Sequence, residues 1–146
     1  ELHHWSDLQL VAAYEEFQSK DADDPRVENF LVAVGQMFLS NADPAKNDPQ
    51  RAIEFFNRGL EKYPQGKLAP TMILQKATAQ VALGQHDEAL QTFNDFLSKN
   101  PNAPKEVKVQ AEDGLATIYR SLGRWDEAVT AYRKIRDEYK EIPERA

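Results

Sequence analysis

Three histidines and two adjacent carboxylate pairs hold the side chains of this chain best suited to proton transfer or metal binding. They are His3, His4 and His86, with Asp87-Glu88 and Asp126-Glu127. General acid–base work needs two groups converging on one reacting atom. Adjacent residues in a helix point apart, so neither acid pair converges if it lies on one. Each pair opens an apolar-periodic run, and there a carboxylate favours the positive end of the helix dipole by about 0.3–1 kcal/mol. His3 and His4 would need a third converging ligand to hold a metal. Cysteine is absent, which removes disulfides, thiolate zinc sites and cysteine nucleophiles. No Gly-rich phosphate loop, H-E-x-x-H, Gly-x-Ser-x-Gly or EF-hand spacing occurs. The expectation is a chain with no catalytic set, no metal and no cofactor.

The elements that carry these residues read as helices throughout. Ser6 with Gln9 forms a capping box, and Leu10, Ala13 and Phe17 then fall on one helical face. Asp21 to Pro25 stops that helix. Val27 to Leu39 is the next, with Gly35 inside it, where close packing against the following helix explains a glycine that costs about 1 kcal/mol relative to Ala. Asp48-Pro49 caps a third helix, in which Ala52, Ile53, Phe56 and Leu60 lead to Tyr63-Pro64. Pro70 sits in the first turn of a fourth. Ala89, Leu90, Phe93, Phe96 and Leu97 line a fifth. A sixth, longer one starts after Pro104 and runs towards Leu122, and Trp125 to Tyr139 is the last. No period-two run of β-branched residues occurs, so seven helices and no strand are expected.

A pattern recurs along these helices. Leu115-Ala116-Thr117-Ile118-Tyr119, then Leu122-Gly123-Arg124-Trp125-Asp126-Glu127-Ala128, then Tyr132, describes two short antiparallel helices with a glycine turn between them. Leu83-Gly84-Gln85-His86-Asp87-Glu88-Ala89 with Phe93 and Pro101 repeats the second half, as does Pro49-Gln50-Arg51-Ala52 with Phe56 and Pro64. Ala52, Ala89 and Ala128 stand 37 and 39 residues apart. This pattern resembles the tetratricopeptide repeat, whose regular period is about 34 residues. The resemblance covers about residues 26–143, as repeats over 26–66, 67–103 and 104–143 in one domain of 1–146. Residues 1–25 are a lead-in helix or half repeat, since Ala13, Phe17 and Pro25 match Ala89, Phe93 and Pro101. The irregular spacing, with phrases such as Tyr63-Pro64-Gln65-Gly66-Lys67, looks like the bacterial cell-envelope variety of the family.

The resemblance implies an all-α, right-handed solenoid of stacked helix hairpins that binds protein segments in a concave groove. It places Asn29, Val32, Gln36 and Leu39 in that groove from the first pair. Thr71, Leu74, Thr78 and Val81 come from the second, and Gln110, Asp113, Thr117 and Arg120 from the third. Family members that grip a partner's terminal carboxylate use Lys and Asn at such places. Here those places hold Val32, Gln36, Gln75, Gln110 and Gly114, so no such clamp is expected. His86 and Trp125 stand where a repeat has a large residue packing between helices. Ile118, Tyr119, Tyr132, Phe93 and Phe56 are expected in the core.

The expected function is a non-catalytic scaffold for a protein or peptide partner; the alternative is a repeat domain appended to a larger enzyme or to a secretion or envelope assembly. The net charge is −6, and residues 1–64 carry twelve acids against six bases. Such an acidic chain lacks the basic footprint of a nucleic-acid binder. No apolar run approaches the length of a membrane span. Val129, Tyr132 and Ile135 would leave one side of the last helix open. The expectation from that side is a native chain continuing beyond Ala146, or self-association through this end.

Overall fold

The computed structural model describes residues 7–20, 24–40 and 43–140. Seven α-helices and no strand occur among them: α1 (Asp7–Lys20), α2 (Pro25–Leu39), α3 (Pro49–Lys62), α4 (Ala69–Ala82), α5 (His86–Lys99), α6 (Lys105–Ser121) and α7 (Trp125–Glu138). The expected capping box at Ser6 and the stop at Asp21 to Asp23 lie outside the described residues. The chain divides into two compact units, Glu1–Leu83 and Gly84–Ala146.

In the first unit α2 is the centre of the core. Asp24 caps it by accepting from the Arg26 backbone N–H at 2.9 Å, and Pro25 occupies the first turn. Val27, Leu31, Val34 and Phe38 recur at helical spacing, and all are buried. Leu10 and Tyr14 of α1 meet this face, as do Ala52, Phe55 and Phe56 of α3 and Met72 of α4. The rings settle into edge and offset contacts. Tyr14 stands edge-on to Phe55 at 6.4 Å, and Phe38 stacks on Phe55 at 5.8 Å. The Arg58 guanidinium lies over both the Tyr14 and the Phe55 rings, at 5.5 and 5.1 Å from their centroids, on an otherwise exposed residue. Gly35 faces the Phe56 ring so closely that an added Cβ would overlap it. The glycine inside α2 is therefore a packing requirement, as its place in the sequence suggests.

The joints of this unit are specific. Between α2 and α3 a 3-10 turn, Pro44–Lys46, is capped by Asp43. The Asp48 N–H closes the loop by donating to the Phe38 carbonyl at 2.7 Å, while the Asp48 side chain caps α3 through the Arg51 N–H. Helix α4 has no such local cap, because its N-cap residue is Leu68. Its acceptor comes from far away: the buried Glu28 carboxylate of α2 accepts from the Leu68 N–H at 2.8 Å.

The second unit packs α5 on α6 and α6 on α7. Val109, Ala111, Leu115, Ala116 and Ile118 of α6 are buried, with Ala89, Phe93 and Phe96 of α5 and Ala128 of α7. Gly123 has φ +72° and ends α6: its own N–H bonds to the Arg120 carbonyl, and the Arg124 N–H to that of Tyr119. That pair of bonds is the Schellman ending, which needs a left-handed residue. Gly114 plays in α6 the part of Gly35 in α2, leaving room for the Phe93 ring.

Candidate binding faces

The residues expected to line a groove fall on one face of each first helix, at spacings of three and four, but their exposure differs. On α2, Asn29 and Gln36 are exposed, Leu39 is half-buried and Val32 is buried. On α4, Thr78 is exposed, Thr71 and Val81 are half-buried and Leu74 is buried. On α6, Gln110, Asp113 and Arg120 are exposed and Thr117 is half-buried. Val32 and Leu74 are thus interior side chains. A helix packed on more than one side carries an apolar stripe wider than one row, and the second position of the α2 and α4 faces falls inside it, whereas its α6 counterpart Asp113 stays exposed.

What remains accessible is short, neutral and hydrogen-bonding. The Thr78 hydroxyl donates to the Leu74 carbonyl at 3.0 Å, and the Asn29 amide to the Pro25 carbonyl at 3.4 Å. Arg120 and Asp113 are the charged members. The places where a carboxylate clamp would need Lys or Asn are filled otherwise. Val32 is buried, and Gly114 cannot take a side chain without displacing Phe93.

Among the described residues the groups able to do chemistry do not converge. Asp87 and Glu88 open α5, Asp126 and Glu127 open α7, and all four are exposed. Glu127 is held by Arg124, whose Nε donates at 2.7 Å, and that guanidinium also lies over the Tyr119 ring. His86 is half-buried, with Nδ1 enclosed and without a hydrogen-bond partner. His3 and His4 lie outside the described residues. Among the described residues no group of three His, Cys, Asp or Glu is placed to hold a metal ion, and no helix is long and apolar enough to cross a membrane.

Two of the aromatic expectations need correction. Trp125 is 62% exposed rather than packed between helices, and Tyr132 is exposed rather than core. The counterpart of Tyr132 on α5, Phe93, packs against Gly114 of the following helix α6, and no described element follows α7. Phe56, Phe93 and Ile118 are buried as expected, and Tyr119 is half-buried.

Sequence reading also passed over Glu112, a buried acid on α6. Lys134 of α7 donates to its Oε1 at 2.7 Å, and this bond holds the Lys134 ammonium pKa above its usual value. Tyr139, at the end of α7, has its phenol pushed up to about 12, chiefly by burial and then by the Glu112 and Glu138 charges. The mark such a residue leaves in sequence is an acid within an apolar row: Glu112 lies between Ala111 and Leu115.

Comparison with known proteins places this geometry. The sequence model of the tetratricopeptide repeat family matches residues 74–143. The curated Tetratricopeptide repeat protein 8 of Caenorhabditis elegans is 28% identical over 126 residues, which is 86% of this chain and 22% of that protein. A solved structure of a MamA mutant superposes with a TM-score of 0.61 at 19% identity, covering 92% of this chain and 64% of that one. The chain thus spans about a fifth of the curated relative, and the solved structure shares its all-α helical-repeat fold.

Proposed function

We propose that this chain, which matches the tetratricopeptide repeat family over residues 74–143, is a non-catalytic scaffold, since such repeats mediate protein–protein interaction. It holds a helical or extended segment of a partner protein along the exposed faces of α2 and α4 in the first unit, and α6 of the second unit carries a face of the same character. The observation that carries this reading is the character of those faces. Asn29 and Gln36 of α2, Thr78 of α4 and Gln110 of α6 stand exposed beside half-buried Leu39, Val81 and Thr117. Neutral amides and hydroxyls next to apolar rows suit a segment held by burial and amide hydrogen bonds rather than by charge.

The test uses the exposed positions, since Leu74 is interior and a charge there would test the core instead. Gln36→Glu with Thr78→Glu should leave melting unchanged and weaken capture of a protein partner at least tenfold. Capture should change little when salt is raised, because few exposed charges take part. A folded double variant that captures its partner as before would refute the reading.

A further inference from the structure

We propose that α7 is a self-association surface, on which a second copy of this chain packs its own α7 antiparallel about a two-fold axis. Among the described residues, four of the five large apolar side chains that stand exposed lie at this end: Leu122, Trp125, Val129 and Tyr132. The last three form one stripe at i, i+4 and i+7, which Arg136 continues. Trp125 is 62%, Val129 44% and Tyr132 38% exposed. The repeat register shows how unusual that is. Counting from Ala52, Ala89 and Ala128, the position four residues on is Phe56, Phe93 and Tyr132, and only the tyrosine is exposed. One residue after each alanine, Ile53 is buried and Leu90 half-buried, while Val129 is exposed.

The end of the stripe indicates which occupant it fits. Eight residues past the alanine, α3 has Leu60 and α5 has Leu97, both half-buried, and α7 has the exposed Arg136. An arginine there ill suits one more apolar seam of the array. It suits an antiparallel copy. Setting Val129 opposite Tyr132 of the second copy brings Trp125 opposite Arg136 at both ends of the contact, where a guanidinium over an indole is favourable. In the same register Asp126 falls on the flank that meets Arg133 of the other copy. The helix is self-complementary along its length, with Asp126 and Glu127 in its first turn and Arg133 and Arg136 in its second half. A two-fold contact requires that complementarity. The stripe includes none of the residues assigned to partner binding, so the two readings stand or fall separately.

One helical stripe buries less than about 1,200 Å² in total, the size of transient complexes, so the dimer should dissociate on the order of 10–100 μM. Sedimentation equilibrium of the 146-residue chain from about 5 to 500 μM spans that range. Reversible monomer–dimer behaviour is expected. Tyr132→Glu and Val129→Glu, both at exposed positions, should each weaken it at least tenfold with unchanged circular dichroism and melting. Asp126→Arg alone should also weaken it, and adding Arg133→Asp in the same chain should restore it. A monomer throughout that range would overturn the proposal and leave the stripe to another occupant. A dimer indifferent to Tyr132→Glu, or a charge exchange that restores nothing, would overturn it as well.

Discussion

The buried carboxylate of Glu28 does the work of a helix cap from 40 residues away. Leu68 is the N-cap of α4, and Glu28 accepts from its backbone N–H, the bond that an N3 Glu or Gln makes in a capping box. Glu28→Ala should therefore cost about 1–3 kcal/mol, because it strands a donor as well as losing a bond. Glu28→Gln, which keeps an acceptor oxygen, should cost less. Urea unfolding of the two variants compares them directly, and equal losses would show that the N–H is satisfied in some other way. Nothing in the sequence marks Glu28 for this task, because its partner is a backbone group in a distant joint. The same limit explains Trp125 and Tyr132: the repeat pattern carries the side chain's type, but its burial depends on a covering helix that the pattern cannot guarantee. Gly35 was legible because a glycine inside an apolar helical row has few other reasons to be there.

Each helix span was readable from apolar periodicity, prolines and caps, with small shifts at the ends. Val27 to Leu39 became Pro25–Leu39, and the last helix closed at Glu138 rather than Tyr139. The 3-10 turn at Pro44–Lys46 was not readable, since three residues are too few to carry a period. The faces were legible as rows but not as surfaces, and Val32 and Leu74 turned inward where packing from several sides widened the apolar stripe. The α6–α7 hairpin has a pH dependence that its side chains dictate. Lys134 and Tyr139 both hold their protons more tightly in the folded hairpin than in an unfolded chain. The stability this supplies is complete below about pH 10 and falls as the pH rises through about 12. Lys134 is half exposed and screened by water, so buried Tyr139 should dominate. The urea midpoint should drop across that alkaline range, and Tyr139→Phe should flatten the drop. An equally steep drop in the variant would place its origin elsewhere.

At the scale of the molecule, packing joins α1 to α2, α2 to α3 and α3 to α4 in the first unit, and α5 to α6 and α6 to α7 in the second. Contacts between consecutive helices close short loops, and chains built this way fold in about microseconds to milliseconds. The dominant refolding phase after dilution from urea should be over within tens of milliseconds, on the order expected for local topologies. A dominant phase of seconds would point to pairings between distant segments. The recurrence of the alanines across 37 and 39 residues made this architecture readable. Repeats reveal themselves because one local solution is written several times, whereas a clasp such as Lys134 to Glu112 is written once.

The facing of Gly35 by Phe56, and of Gly114 by Phe93, ties the evolutionary histories of those sites together. While the ring stays, the glycine codon cannot drift even to alanine without crowding the seam. Once a lineage trims the ring to a smaller side chain, the glycine is released and alanine becomes the better helix former. Related sequences should therefore show these positions changing as couples, large against none or medium against small, with the single-change intermediates purged. The divergence of the repeats would then be paced by pairs of substitutions rather than by single ones.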